Sequence, residues 1–479
     1  MESSQQLANN TTAIQEMLSN SSDFQTTDFT AGGRHYRLYY LDTMIELAAV
    51  QEHLISPLLL QDNVSVREAV SILNVSETQL LTDALTAIIE GKTVVQIEGD
   101  ATLYLCATAL NKERSINIPV NERVLRGSNE AFIEDLATNL NLMRKLLSSP
   151  GLVVKYYELG RISKTRVAML YIRNLANSDI LHEMDRRIKS IDIDYVEAPG
   201  FIQELVEEKL FSLFPQTLIT ERPDRVRSYL MDGKIAILSN GSPDCMIIPI
   251  TFWSFFQSPD DYQINWLFGS TFRLLRIICF IIAISLPGAY VAMVNFDPRI
   301  LPFEISMTLQ SSMQFIAMPA VMEAISMLLI LEVLREATIR LPSPIGQTIG
   351  VVGGIVIGTV VVQSNLVSNT MVVVVAFTGL ASFIIPSYEM SSAARLLPYP
   401  FILMSSILGL FGLELAFLFV ITHLSRLHTM GVPYFYTGLN GGTMRDTLFR
   451  SPIWRLKTRP KESMTNNKVR IRNPRGWEK

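Results

Sequence analysis

The chain has 479 residues, 48% apolar and 18% charged, with a formal net charge of −4. Soluble proteins carry roughly 25% charged residues, and here the charge is sharply partitioned: Met1–Phe272 holds 23 Lys and Arg against 35 Asp and Glu, Arg273–Ser425 holds 6 against 7, and Arg426–Lys479 holds 12 against 3. An acidic polar block, a charge-poor apolar block and a basic tail exclude a single soluble enzyme domain, a disordered chain and a fibrous protein.

Residues 1–34 are rich in Ser, Gln, Asn and Thr and lack an apolar h-region. They predict a flexible segment without a signal peptide. A first soluble subdomain is expected over 35–150. Its predicted elements are a helix over Met44–Leu60 after Asp42, strands at Val94–Ile97 and Thr102–Cys106, and a helix over Glu130–Leu147. A second is expected over 151–270, after a break near Ser148–Gly151. Its strands are predicted at Leu152–Tyr157 and Arg166–Ile172. Asn177 or Ser178 caps a helix to Ile188, and another helix spans Ile202–Phe211. Asp224 and Gly233 bracket a short helix as N-cap and C′ residues. Ile235–Leu238 and Cys245–Ile250 flank Asn240-Gly241, the strongest short-range hairpin pattern. The soluble block therefore reads as α/β or α+β in two subdomains.

An α-helical, polytopic membrane domain is expected over 271–425. Ile277–Val294 is 18 residues without a charge, and Leu341–Tyr388 is 48. The second stretch is enough for two spans of roughly 20 residues each, turning at Gln363-Ser364-Asn365. Leu396–His423 is a further span, interrupted by Glu414 alone. Met313–Leu334 reads as a polar-marked membrane helix and Pro302–Gln310 as interfacial or re-entrant. Four to six crossings or re-entrant segments are open. Arg273, Arg276 and the basic tail over 426–479 place both ends in the cytoplasm. The tail is expected to lie on anionic lipid through Arg455, Lys457, Arg459 and Lys461.

Few motifs carry chemistry. Gly91-Lys92-Thr93 has Thr86 where a phosphate loop needs glycine, and it reads as a turn after a helix. Cys106, Cys245 and Cys279 read as free buried thiols, and the five histidines show no metal-ligand spacing. No catalytic set is present, so no enzyme, cofactor, metal or nucleic acid is expected. Arg222 and Arg225 beside Asp224 form either an anion site at a helix start or a structural turn. Trp253, Phe255 and Phe256 mark the junction between soluble block and membrane, and with Arg222 and Asp224 are candidates for coupling the two.

Glu323 and Glu332 are intramembrane carboxylates. Nine residues apart, they face opposite sides of a helix. They build a packing network with Arg335 or tune ion passage. Gly350, Gly354 and Gly358 give one small-residue face, which serves close helix packing or a pore. The pore and gate candidates are Gly354, Val356, Gly358, Thr359, Val360, Val361, Gln363 and Asn365, since Val and Ile rings gate by dewetting.

The chain resembles the A-subunit family of GerA-type spore germination receptors. The resemblance rests on Val124-Leu125-Arg126-Gly127, Phe214-Pro215-Gln216 with Thr220-Glu221-Arg222-Pro223-Asp224-Arg225-Val226, Pro249-Ile250-Thr251-Phe252-Trp253 with Phe255-Phe256-Gln257-Ser258-Pro259-Asp260-Asp261-Tyr262, Arg340-Leu341-Pro342-Ser343-Pro344-Ile345-Gly346-Gln347 and Ile385-Pro386-Ser387-Tyr388. It covers about residues 35–460. It implies an oligomeric nutrient-gated ion channel in the spore inner membrane, with block and tail on the core side. A transporter-like B subunit and a lipoprotein C subunit are the implied partners. Two departures are Leu328, where relatives often carry a carboxylate, and Thr359, where they often carry Gln. A secondary transporter, a non-conducting coupling subunit and a membrane-anchored enzyme are the competing readings. The first lacks inverted repeats, and the last lacks a catalytic set.

Overall fold

The computed structural model describes residues 2–60, 66–70, 72, 74–109, 119, 122, 124, 126–300, 302–313, 316–341, 343–436 and 446–472. Two α+β units come first, and they share one topology. In unit 1, helix α1 (Leu7–Met17) precedes strands β1 (Phe24–Ala31) and β2 (Arg34–Leu41). Helix α2 (Leu47–Leu60), which widens to a π turn at Gln51–Ile55, leads to β3 (Val75–Thr78). Helix α3 (Leu81–Ile89), β4 (Thr93–Ile97) and β5 (Leu103–Cys106) complete the unit. The sheet order is β1-β2-β4-β5-β3, and every pair is antiparallel. Gly32 and Gly33 both have positive φ (56° and 76°) between the paired Ala31 and Arg34. Two such residues let a two-residue turn match the strand twist.

Unit 2 repeats the plan. Helix α4 (Leu136–Leu146) precedes β6 (Leu152–Leu159) and β7 (Thr165–Ile172), followed by α5 (Ser178–Lys189) and α6 (Pro199–Val206). Then come β8 (Leu218–Thr220), α7 (Pro223–Met231), β9 (Ile235–Ser239) and β10 (Cys245–Ile248). The order β6-β7-β9-β10-β8 is again wholly antiparallel. The soluble block is thus α+β. Asn177 caps α5 as expected, accepting from Asp179 N and Ile180 N, and β9 and β10 form the expected hairpin.

Three sequence expectations change. Residues 1–34 are not a flexible lead: α1 packs its Ile14 into the core of unit 1, and β1 pairs with β2 along its whole length. The break between units lies before α4, not at 150, because Leu136, Leu140 and Met143 belong to the core of unit 2. Asp224 is not the N-cap of α7. Arg222 holds that position, Pro223 opens the helix, and Asp224 sits one place inside.

The units meet at a buried ion pair. Arg144 and Asp23 are both fully buried and bond twice, Nε to Oδ2 at 2.9 Å and Nη2 to Oδ1 at 2.8 Å. Ser22 N also donates to Val154 O at 2.8 Å.

The C-terminal part is helical: α8 (Trp266–Asn295), α9 (Ala320–Arg340), α10 (Ser343–Gln363), α11 (Asn369–Phe383), α12 (Tyr388–Leu396) and α13 (Pro398–Arg426). Among the described residues two helical stretches, Trp266–Asn295 and Tyr388–Arg426, are long and apolar enough to cross a membrane. The expected turn at Gln363–Asn365 is present, since α10 ends at Gln363 and Asn365 has a positive φ of 54°. Helix α11, at 15 residues, spans about 22 Å, less than a hydrocarbon core of roughly 30 Å. Inside α13, Gly409 leaves helical geometry (φ 62°, ψ −140°), with the Phe296 side chain 3.0 Å from where a Cβ would stand.

The tail packs on the protein. Arg459 Nε donates to Met231 O at 2.8 Å, and Asn177 Nδ2 donates to Met464 O at 3.0 Å. Arg459 therefore pins the tail to unit 2.

Candidate functional site

Unit 2 meets the helices through an aromatic turn and an ionic cluster. After β10 the sequence Phe252–Phe256 forms a 3-10 turn. Its aromatic side chains cannot all be buried within unit 2, so they pack outward on the bundle and tail. Phe252 and Phe256 stand edge-on to Phe280 of α8, with ring centroids 5.7 and 5.4 Å apart. Trp253 stacks on Phe435 at 5.5 Å and donates its indole N–H to Tyr436 O at 2.9 Å. Phe255 is fully buried and lies 6.3 Å from Tyr434. One apolar cluster runs without interruption from Val154 and Leu170 in the sheet, through Phe252 and Phe256, to Phe280, Phe401 and Val420.

Beside the aromatics lies an ionic lock. Arg273 in the second turn of α8 is fully buried. It reaches Asp261 Oδ2 at 3.4 Å and donates to Asp446 O at 2.6 Å and Asp446 Oδ1 at 3.2 Å. Arg276 bonds both oxygens of Asp261 at 2.8 Å. Tyr262 donates to Asp446 Oδ2 at 2.8 Å. Burial holds the Asp446 carboxyl above its usual range, against the opposing pull of Arg273. Soluble block, first long helix and tail are thereby joined through one cluster. Sequence reasoning uses Arg273 and Arg276 only to orient the chain, and it misses Asp261 and Asp446 as partners. The usable sign is two arginines at the mouth of an apolar run, a short step after Asp260-Asp261.

Arg222 and Asp224, placed at this junction by sequence, pair with each other at 2.7 Å. Arg222 also donates to Ser128 O at 2.8 Å and Glu122 O at 3.2 Å. Arg225 bonds Glu122 Oε1 at 2.5 Å, and its other nitrogen donates to Ser254 O and Gln257 O at 3.3 Å. The candidate anion site is filled from within by Glu122. Arg225, not Arg222, touches the aromatic turn.

The intramembrane candidates separate as their spacing requires. Glu323 is fully buried and accepts from Ser368 N, and Ser368 Oγ lies 3.0 Å from Tyr290 OH. Glu332 faces the other side, between Arg335 (3.4 Å) and Arg395 (3.0 Å). No sequence pattern marks Arg395 as a partner. These three residues and Leu328 line a cavity of about 160 Å³.

On α10, Gly354, Thr359, Val360 and Gln363 are exposed, and so is Asn365 beyond its end; Gly358 and Val361 are partly buried. The side chain of Val356 lies outside the described residues. Thr359 Oγ1 donates to Ile355 O at 2.7 Å. Among the described residues an added Cβ at Gly350, Gly354 or Gly358 would meet nothing within 4 Å, whereas at Gly353 it would strike Leu334. Helix α10 therefore packs on α9 through Gly353 and leaves its other glycine face open. Among the described residues no group of three His, Cys, Asp or Glu is arranged to hold a metal ion.

A profile of the Bacillus/Clostridium GerA spore germination protein family matches residues 12–462. Spore germination protein B1 of Bacillus subtilis (strain 168) is 35% identical over 97% of this chain and 99% of its own. Spore germination protein KA of the same organism is 32% identical over 97% and 88%. Spore germination protein GerIA of Bacillus cereus is 36% identical over 93% and 68%. Among solved structures, the N-terminal domain of the A subunit of the Bacillus megaterium spore germinant receptor GerK3 is 27% identical. It covers 53% of this chain and 98% of that one, with a TM-score of 0.40.

Proposed function

This chain belongs to the GerA spore germination protein family, the A-type receptor subunits, and on that premise we propose that it forms an oligomeric, nutrient-gated ion channel in the spore inner membrane. The observation that carries the proposal is the open glycine face of α10. A helix whose small-residue face meets nothing among the described residues is suited to packing against another copy or bordering a lumen. In this reading α9 to α11 contribute crossings beyond the two long helical stretches. Both the soluble block and the tail face the spore core. A transporter-like B subunit senses nutrient with a lipoprotein C subunit. The aromatic turn and the Arg273 cluster carry the movement to a gate at Val356, Val360 and Val361.

Potassium release from spores tests this. Val356→Ser, Val360→Ser or Val361→Ser, made singly, should release potassium without nutrient if a dewetted ring is the gate. Strictly nutrient-dependent release in all three removes α10 as the gate. The non-conducting alternative, in which this chain only couples, draws on the continuous core between unit 2 and the bundle.

A further inference from the structure

The helix-to-strand connections of the two units differ in one respect. In each, a glycine with positive φ closes the helix and a lysine comes next: Gly91-Lys92 after α3, and Gly233-Lys234 after α7. Lys92 is at the surface and pairs with Glu90 at 2.9 Å. Lys234 is 3% exposed and has no carboxylate within ion-pair distance among the described residues. Its ammonium lies over the Tyr229 ring at 4.4 Å. It borders a cavity of about 520 Å³ between α7 and the docked tail.

We propose that this cavity binds a small multivalent oxyanion. Its described lining has seven basic side chains and four acidic ones, an excess of three positive charges. Two of the acidic ones are committed outside the lining, Asp224 to Arg222 and Asp446 to Arg273, and a third, Asp232, is matched by Arg470 of the lining at 3.6 Å. The fourth, Glu462, is held toward its neutral form by burial. Lys234, Arg227 and Arg455 have no carboxylate partner among the described residues. A buried, unpaired ammonium is costly unless a counter-charge arrives. Planar guanidinium groups bind carboxylate or phosphate oxygens in pairs. The volume falls within the roughly 300–1,000 Å³ of small-molecule sites. Three unmatched cations favour a ligand with at least two negative charges. Tyr262, which holds Asp446 against Arg273, forms part of the wall, so the site abuts the lock between soluble block and bundle. The inference rests on the cavity and not on the channel reading.

The test is titration calorimetry on the full chain in detergent, in about 150 mM salt to screen surface charge. The probes are citrate, a tricarboxylate, and pyrophosphate. Saturable binding of either one supports the proposal, and the probe that binds identifies carboxylate or phosphate chemistry. Arg227→Gln with Arg455→Gln, both exposed positions, should weaken binding about tenfold or more while leaving the thermal transition without probe unchanged. Lys234→Met should weaken it further. Lys457→Gln with Lys468→Gln, outside the cavity, should not. No saturable heat from either probe up to about 10 mM, or equal weakening by the two pairs of substitutions, overturns the site.

Discussion

Unit 1 keeps both faces of its sheet to itself. One face is covered by α1 and α3 through Ile14, Leu81 and Ile88, and the other by α2 through Leu54 and Leu58. Unit 2, with the same strand order, shares both faces. Val167 and Met169 point toward α5 and α6, where Met430 and Val432 from beyond α13 join the core. The alternate residues Ala168 and Leu170 face α4 and α7, and that core continues through the aromatic turn into the helices. The difference lies less in the sheet than in the segment after β10. Phe252, Phe255 and Phe256 add apolar surface that only the bundle and tail can bury. A shared topology thus closes its own apolar cores in one case and becomes a mount for the bundle in the other.

Each unit boundary is sealed by a fully buried arginine, and breaking these seals should have the largest effects. Arg144→Ala would strand Asp23 between the units, and Arg273→Ala would strand Asp446 at the bundle and leave Asp261 to Arg276 alone. Removing one partner of a buried pair costs about 3–5 kcal/mol. If the boundaries are independent, hydrogen exchange should separate them. Arg144→Ala should speed exchange in β1 and β6 and spare α8. Arg273→Ala should loosen the start of α8 and residues 446–450 and spare β1. Uniform loosening by either substitution would mean that the two boundaries form one cooperative unit.

The closing glycines sharpen the comparison at smaller cost. Gly91 N donates to Ile88 O and Lys92 N to Ala87 O, while Gly233 N donates to Leu230 O and Lys234 N to Tyr229 O. The two caps are the same motif. Alanine at either φ, +88° or +89°, costs about 1–2 kcal/mol in backbone strain. At Gly233 the new Cβ would also stand 2.7 Å from Leu175 O, against 3.0 Å from Met44 O at Gly91. Gly233→Ala should therefore lower the thermal transition more than Gly91→Ala. The reverse order would show that the Leu175 carbonyl beside Gly233 can yield.

These caps are also where the sequence is most readable. Gly91-Lys92-Thr93 reads as a turn after a helix, and Gly233 as a C′ residue, because glycine at that place has one physical cause. The apolar strands β4, β5, β6, β7, β9 and β10 are legible from their runs of Val, Ile and Leu. β1, β3 and β8 are not, because they lie toward the sheet edges or are very short. β1 carries Asp28 and three threonines with exposed alternate positions, and β3 is Val-Ser-Glu-Thr. Edge strands need charge and polarity to avoid pairing with other chains, so they read as loops. Without them the repeat of the two units cannot be seen. At the junction, composition alone finds Trp253, Phe255 and Phe256. It does not find Asp261 and Asp446, since pairing across 12 and 173 residues with Arg273 leaves no local periodicity.

The smallest expected effect concerns the seam between the units. Asp42 lies just after β2 in unit 1 and faces unit 2, with Tyr156 OH at 3.4 Å and Arg166 at 3.7 Å. Burial, with neighbouring Asp23, pushes its carboxyl up from 3.8 to about 6. Because the folded value lies above the unfolded one, the folded chain holds this proton more tightly. The contribution to stability is then fully present below about pH 4 and is lost as pH rises through about 6. That rise corresponds to roughly 3 kcal/mol, and the side chain's 24% exposure lowers the expected size to about 1 kcal/mol. Asp42→Asn should remove this slope. The variant should gain about 1 kcal/mol on the native chain at pH 7.5 and little at pH 4.5, as read from denaturant midpoints. Parallel pH profiles for the two chains would mean that Arg166 already neutralises Asp42, and that the seam, like the core of unit 1, is indifferent to its charge.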